Sequence, residues 1–148
     1  MFNPTSILVL TDFSKESDMA LATAVDLAEK YKAKVEVLHV LDEIEGCVAD
    51  YCIPETERES LRKRMMEAAK KKLEEQVGRI PKKKGLSVDE KIRVGNQVDE
   101  IINEVDEKKI DLLVAAPHEH HKKWHAFFSH LTDELASRSK CETLLLKH

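Results

Sequence analysis

Four histidines cluster in one short stretch of the chain and are the side chains best suited to chemistry. His118, His120 and His121 fall in a predicted turn, and His125 follows His121 by four residues. Residues four apart share one face of a helix, and imidazole nitrogens are common ligands of Zn²⁺. The cluster is therefore compatible with a zinc site. Its spacing matches no fixed ligand motif, however, and a polar helix start in water explains the same residues.

Catalytic motifs are absent from the sequence. It contains no G-x-S-x-G elbow, no phosphate-binding P-loop and no G-x-G-x-x-G fingerprint. Asp12, Ser14 and the histidines would form a triad only if the fold brought them together, and nothing in the sequence indicates that it does. We therefore expect a protein that is not an enzyme.

The three cysteines favour reduced thiols. Cys47 and Cys52 lie five residues apart in one predicted loop, which is not the Cys-X-X-Cys spacing of redox motifs, so a redox pair is the less favoured alternative. Cys141 precedes an apolar run, where a small buried residue fits. An odd number of cysteines without a recognisable export signal is typical of a reducing compartment, and we expect the cytoplasm.

The histidines lie between a predicted strand and a predicted helix. Residues 112–116 form an apolar run typical of a buried strand, and Pro117 ends it. In an open α/β sheet, ligands bind beyond the carboxyl ends of the strands, so we expect this turn to face any ligand. The apolar residues that recur at helical spacing after the turn are Trp124, Phe127, Phe128, Leu131 and Leu135.

The whole chain alternates strands with helices. Apolar runs at 6–11, 35–41 and 143–146 predict buried strands, and 86–94 predicts an edge strand because its alternate positions are charged. The order β-α-β-α-β-α-β-α-β gives five strands and four helices. This alternation predicts a doubly wound parallel sheet, a Rossmann-like three-layer α/β sandwich.

Two sequence signals mark predicted helix starts. Thr56 followed by Glu59 is a capping-box pattern that would open the longest helix, and Asn96 is a candidate N-cap for a short helix. Residues 42–55 lack periodicity and are predicted to form a loop.

Composition limits the partners. The chain has 148 residues, of which 42% are apolar and 35% charged, which is typical of one soluble domain over residues 1–148. A net charge of −4 argues against nucleic acid, which needs a basic stripe. The lysine clusters at 70–72 and 82–84 are interpreted as a solvated helix end. No apolar run is long enough to span a bilayer, so we expect neither nucleic acid nor membrane as a partner.

The order and spacing of several segments resemble the universal stress protein family over essentially the whole chain. These segments are ILVLTDFSKES, ALATAVDLAEKYKAKVEVLHVLD, RVGNQVDEIINEVDEKKIDLLVAA and ETLLLKH. The resemblance implies strand order 3-2-1-4-5 and a homodimer that pairs the last strands of two subunits. The residues of that strand are Thr143, Leu144, Leu145 and Leu146. An apolar edge strand needs a partner in any case.

Many members of that family bind ATP between the loops after strands one and four. By position, the resemblance implies contacts at Asp12 and Val40 and a phosphate motif after strand four. The family motif there is a glycine, two residues, a second glycine, nine residues, and then glycine with serine or threonine. The corresponding positions of this chain are Ala116, Glu119, Ser129 and His130.

These departures remove the chemistry of the phosphate motif. Backbone amides hold phosphates by close approach, which is why glycines occur there. Pro117 has no amide hydrogen, and Ser129 adds a side chain. Glu119 would place a carboxylate beside a polyanion, at a cost of roughly 1 kcal/mol for charges ~4 Å apart in water. We therefore expect no cofactor, with ATP or AMP and Mg²⁺, or Zn²⁺, as the alternatives.

The sequence thus predicts a cytoplasmic, homodimeric stress-response protein of the branch that lacks the ATP-binding glycine motif. It would act through contacts with unidentified protein partners. A nucleotide-dependent switch is one alternative, favoured by Asp12, Val40 and the fold. A metal-binding module built on the four histidines is the other.

Overall fold

The computed structural model describes residues 2–43, 47–48, 51–81, 83–117 and 122–147. Strands and helices alternate along these residues as the sequence predicts, except for two additional short strands before the second helix. In chain order the elements are β1 Ser6–Leu10, α1 Lys15–Tyr31, β2 Lys34–Leu41, β3 Cys47–Val48, β4 Tyr51–Cys52, α2 Glu55–Gly78, β5 Val88–Val94, α3 Gln97–Lys108, β6 Leu112–Ala115, α4 Lys122–Arg138 and β7 Glu142–Leu145.

Five of the strands form one parallel sheet in the order β5-β2-β1-β6-β7. Counted among themselves along the chain, these strands have the order 3-2-1-4-5. At the centre, Val9 of β1 lies opposite Val37 of β2 and Val114 of β6. Ile7, Leu8 and Val9 are completely buried because helices cover both faces of the sheet. The predicted doubly wound α/β sandwich is confirmed.

Alternate residues of the central strand enter two separate cores. Ile7 and Val9 pack with α1 and the second half of α2, whereas Leu8 packs with α3 and α4. This separation follows from the two-residue period of a strand, which turns successive side chains to opposite faces. The completely buried residues through which α1 packs on the sheet are largely small, among them Ala20, Ala24 and Ala28.

Side-chain caps define the starts of two helices. Ser14 Oγ accepts a hydrogen bond from Ser17 N at 3.1 Å at the start of α1. Asn96 Oδ1 accepts one from Asp99 N at 3.1 Å at the start of α3, so the predicted N-cap is confirmed. Both helices therefore begin at the carboxyl edge of the sheet, directly after β1 and β5.

The longest helix, α2, begins earlier than predicted. Pro54 is its N-cap residue and no side chain caps its first turn, so the capping box predicted at Thr56 and Glu59 is wrong. Proline suits a helix start because its φ is already restricted and it has no N–H to leave unpaired. Although α2 has 24 residues, its charged surface gives it no membrane-spanning character, and none of the other helices in the described ranges is long and apolar enough to cross a bilayer.

A small hairpin interrupts the loop predicted between β2 and α2. Strands β3 and β4 pair antiparallel, and their register places Cys47 opposite Cys52. Cys52 is disulfide-bonded, so the prediction of reduced thiols in this segment is wrong, and the cysteines do not support the expected cytoplasmic location. A spacing of five residues excludes the Cys-X-X-Cys motif, but it also lets two residues meet across a tight hairpin, and the prediction overlooked this. Cys141 is a free thiol, as predicted.

Candidate functional site

A cavity of about 170 Å³ opens at the carboxyl edge of the sheet. The ends of β1, β2 and β6 form its floor, and α3 and α4 contribute its walls. The order of strands reverses between β1 and β6, and doubly wound sheets bind ligands at such a switch point. The cavity is therefore the candidate site, and most of its lining is apolar.

Three of the site residues predicted from the sequence lie around this one cavity. Asp12, Val40 and Ala116 come from the ends of β1, β2 and β6, and all three line it. Asp12 Oδ1 accepts a hydrogen bond from Ser14 N at 3.0 Å, so this carboxylate also stabilises the turn into α1. The fold thus brings together residues that are separated by more than a hundred positions in the chain.

Two further predicted nucleotide positions lie away from the cavity. Ser129 and His130 lie on α4, are exposed, and do not line the cavity. Glu119 lies outside the described residues. The second half of the phosphate motif is therefore placed on a helix surface rather than in a loop beside the cavity.

The predicted metal ligands are mostly outside the described part of the chain. This holds for His118, His120 and His121, whereas His125 lies on α4 and is exposed. Within the described ranges, no group of three or more histidine, cysteine or acidic side chains is arranged to hold a metal ion.

A buried polar network next to the cavity was not predicted. Thr11 Oγ1 donates to Gln76 Oε1 at 2.6 Å and lies 3.0 Å from Ser17 Oγ. Gln76 Nε2 donates to Ser17 Oγ at 3.2 Å and to Asp18 Oδ1 at 2.8 Å, and Arg79 Nη2 reaches the same Asp18 oxygen at 3.0 Å. The network links the loop after β1 to the end of α2, and two of its members, Thr11 and Ser17, line the cavity.

His39 and Phe13 are a second feature that the sequence analysis missed. His39 lines the cavity, and its Nδ1 lies 2.8 Å from the carbonyl oxygen of Thr11. Because a carbonyl can only accept, Nδ1 carries the hydrogen and Nε2 is the acceptor of the neutral ring. The Phe13 ring packs on the His39 ring with centroids 4.3 Å apart. A histidine near the carboxyl end of the strand that neighbours β1 is the signal that could have identified it.

The backbone at Phe13 has an unusual conformation. Its φ is 67°, in the left-handed region that costs a side-chain-bearing residue roughly 1–2 kcal/mol. Strained residues of this kind concentrate at functional sites. The contact with His39 and the Lys72 ammonium 5.7 Å from the Phe13 ring centroid help to hold this conformation.

The hydroxyl groups of Thr11 and Ser17, which line the cavity, are both engaged in hydrogen bonds. The Thr11 hydroxyl is engaged by Gln76, and the Ser17 hydroxyl donates to the Ser14 carbonyl at 2.9 Å. A nucleophilic hydroxyl would instead need a base within hydrogen-bond reach. The cavity therefore offers an apolar surface with a carboxylate, an imidazole and the aromatic pair Phe127 and Phe128 at its margin.

Solved structures with this architecture cover almost the whole chain. The hypothetical protein MJ0577 shares 22% identity at a TM-score of 0.71, with 99% of this chain and 98% of that chain covered. The universal stress protein UspA from Lactobacillus plantarum shares 17% identity at a TM-score of 0.66, with coverages of 99% and 100%. A universal stress protein from Archaeoglobus fulgidus, solved in complex with dAMP, shares 17% identity at a TM-score of 0.56, with coverages of 99% and 100%.

These identities establish a shared fold and nothing more specific. No curated protein sequence matches the chain. The sequence model of the universal stress protein family, in contrast, matches residues 4–147, which is nearly the full length. This chain therefore belongs to the universal stress protein family.

Proposed function

We propose that this universal stress protein acts in the cytoplasm as a homodimer through protein contacts, and that it neither holds ATP nor turns over a substrate. The observation that carries the proposal is the backbone geometry after β6. Phosphates bind where amides point outward without an intrahelical partner, as in glycine-rich turns and at helix N-termini. Three described positions after β6 offer no such amide.

Three positions support this argument. Pro117 directly follows the cavity residue Ala116 and has no N–H to donate. Ser129 and His130 lie within α4, where each N–H donates to the carbonyl four residues earlier. Their amides are therefore committed to the helix and cannot also bind a phosphate.

The size of the cavity supports the same conclusion. Its volume of about 170 Å³ is below the roughly 300–1,000 Å³ of pockets that enclose drug-sized ligands. Phe127 and Phe128 line it, with ring centroids 5.0 Å apart in an edge-to-face arrangement. A complete nucleoside triphosphate would have to displace this aromatic pair, at the cost of its packing.

The nucleotide part of the proposal is tested by calorimetric titration of the metal-free protein with ATP and Mg²⁺, followed by AMP. We expect no heat of binding from ATP in a sample confirmed to be folded. Micromolar ATP binding would mean that other backbone amides hold the phosphates, and the proposal would then be abandoned.

The dimer part rests on strand β7, which forms one edge of the sheet. Glu142 N donates to Asp111 O and Leu146 N to Ala115 O, both at 2.9 Å. Since alternate residues of a strand point to the same neighbour, the amides of Thr143 and Leu145 face the open edge. Thr143, Leu144 and Leu145 are partly exposed, and an apolar edge of this kind is protected when a second copy pairs with it.

Thr143→Pro tests this edge because it removes an outward-facing amide and leaves the bonds to β6 in place. Proline is tolerated on edge strands whose N–H faces away from the sheet. We expect a shift from dimer to monomer in sedimentation velocity, with Thr143→Val as a control that keeps the amide and stays dimeric. A Thr143→Pro protein that remains dimeric would exclude β7 pairing. Leu145 is less suitable for substitution because it packs against the core.

A nucleotide-linked switch is the second candidate. Asp12, Val40 and Ala116 line one cavity, and the Archaeoglobus fulgidus protein with the same fold was solved with dAMP. A monophosphate needs fewer phosphate contacts than ATP. If AMP gives heat, Ala116→Phe should abolish it by filling the cavity, whereas Ser129→Ala on the exposed face of α4 should leave it unchanged.

A further inference from the structure

Two carboxyl groups meet in the interior between the sheet and α3. Glu36 lies on β2, on the face whose neighbours Leu38 and Val40 belong to the core beneath α3 and α4. Glu104 lies on α3 and is completely buried, and Glu36 is only 8% exposed. Acidic side chains are almost never this buried unless they are paired.

Arg93 of β5 neutralises one of the two groups. Its Nε donates to Glu104 Oε1 at 2.8 Å, and its Nη1 donates to Glu100 Oε2 at 3.1 Å. The other Glu104 oxygen, Oε2, and Oε1 of Glu36 are buried and meet no conventional donor in the described part of the chain. Two unsatisfied carboxylate oxygens in the interior would be costly, because burial removes their hydration without replacing it.

A single proton resolves this arrangement. If Glu36 is protonated, its O–H donates to the Glu104 carboxylate, and both oxygens gain a partner in a charge-assisted hydrogen bond. Burial, followed by the hydrogen bond to Glu104 and its negative charge, raises the pKa of Glu36 to about 8. Burial opposes ionisation of Glu104 too, but hydrogen bonds from Glu36 and Arg93 outweigh it and hold the pKa of Glu104 below its usual value.

We propose that Glu36 and Glu104 form a proton-binding site that retains one shared proton at neutral pH, and that this proton fastens α3 to the sheet. The surrounding charges come from every element packed against the pair. They are Asp89, Lys91 and Arg93 on β5, and Glu100, Glu107 and Lys108 on α3.

The shared proton makes the attachment of α3 sensitive to alkaline conditions. Between the ordinary Glu36 pKa of 4.5 and the native value of about 8, the folded protein holds one proton that the unfolded chain has lost. Stability from this group is complete below pH 4.5 and declines as the pH rises towards 8. Because α3 carries the cavity residues Gln97 and Ile101, loss of the proton would loosen one wall of the cavity.

The test compares urea unfolding at pH 6 and pH 9 for the wild type, Glu36→Gln and a control, Glu67→Gln, which removes an exposed acid from α2. The wild-type folding constant should fall about 100-fold between these values, because each pH unit below the Glu36 pKa of about 8 changes the folding constant by about tenfold. Glu36→Gln supplies a permanent amide donor to Glu104 and should lose that pH dependence, whereas Glu67→Gln should keep it. Equal pH dependence in the wild type and Glu36→Gln would overturn the proposal.

A second measurement covers the case in which Glu36→Gln does not fold. Carbon NMR of the glutamate carboxyl groups in the wild type follows each titration directly. We expect the Glu36 signal to move with a midpoint near pH 8, coupled to a small change at Glu104. A Glu36 midpoint near its ordinary 4.5 would equally overturn the shared proton.

Discussion

Replacing Arg93 with methionine would test how β5 and α3 are held together. The Arg93 guanidinium binds three glutamates on successive turns of α3, at 3.1 Å to Glu100, 2.8 Å to Glu104 and 2.6 Å to Glu107. Glu107 is mostly exposed, and its contact contributes about 0–1 kcal/mol. Glu104 is completely buried, so Arg93→Met leaves its carboxylate without a countercharge, which costs about 3–5 kcal/mol.

Urea unfolding at pH 7, followed by circular dichroism, measures this cost. With a slope of about 2 kcal/mol per molar urea, a loss of about 4 kcal/mol lowers the midpoint by about 2 M. Arg93→Lys, which keeps the charge but not the planar fork, should lose less. Adding Glu104→Gln to Arg93→Met removes the stranded charge and should recover part of the loss. A decrease below about 1 kcal/mol, or no recovery in the double variant, would refute the argument.

Three further predictions concern single side chains. Ser14→Ala removes the N-cap of α1 and should lower the free energy of unfolding by about 1 kcal/mol, measured by urea titration; an unchanged midpoint would contradict the cap. Gln76→Leu removes the hydrogen bonds that Gln76 makes to the Thr11 and Ser17 hydroxyls and should lower the free energy of unfolding by about 1–3 kcal/mol in the same assay. A neutral or stabilising result would show that the network does not contribute to stability. Burial, reinforced by Asp111 and Glu142, raises the pKa of Cys141 from 9.0 to about 12, so its thiolate fraction at pH 8 is about 1,000-fold below the ordinary one. Iodoacetamide should therefore modify Cys141 far more slowly in the folded than in the unfolded protein, and equal rates by mass spectrometry would contradict that burial.

The fold was predictable because buried parallel strands are encoded locally. Ile7, Leu8 and Val9 must be apolar in succession, since both faces of β1 are covered, and this produces a run that is visible without any tertiary information. The alternation of such runs with helical periodicity then leaves few possible topologies. The hairpin at β3 and β4 was missed because strands of two residues are too short to show a period.

The site was predictable only in part. Asp12, Val40 and Ala116 could be identified because each lies at a position set by the end of a strand. Contacts that depend on how helices pack could not be identified. Thr11 forms hydrogen bonds with His39, 28 residues away in the sequence, and with Gln76, 65 residues away. No local sequence pattern predicts contacts over such separations.

The buried amide of Gln76 has a consequence for how α2 lies on the protein. Only Ala69, Leu73 and Gln76 of this helix are buried, and apolar contacts with a smooth surface tolerate sliding. The Gln76 amide does not tolerate sliding, because its hydrogen-bond partners must stay within 2.6 to 3.2 Å. A shift by one residue would move the helix by about 1.5 Å and turn it by about 100°, which would break these hydrogen bonds. The hydrogen bonds of Gln76 therefore fix the position of α2 along its axis and its rotation about that axis. Any partner that rotates or draws out this helix must first break its bond to Thr11, and so must disturb the floor of the cavity.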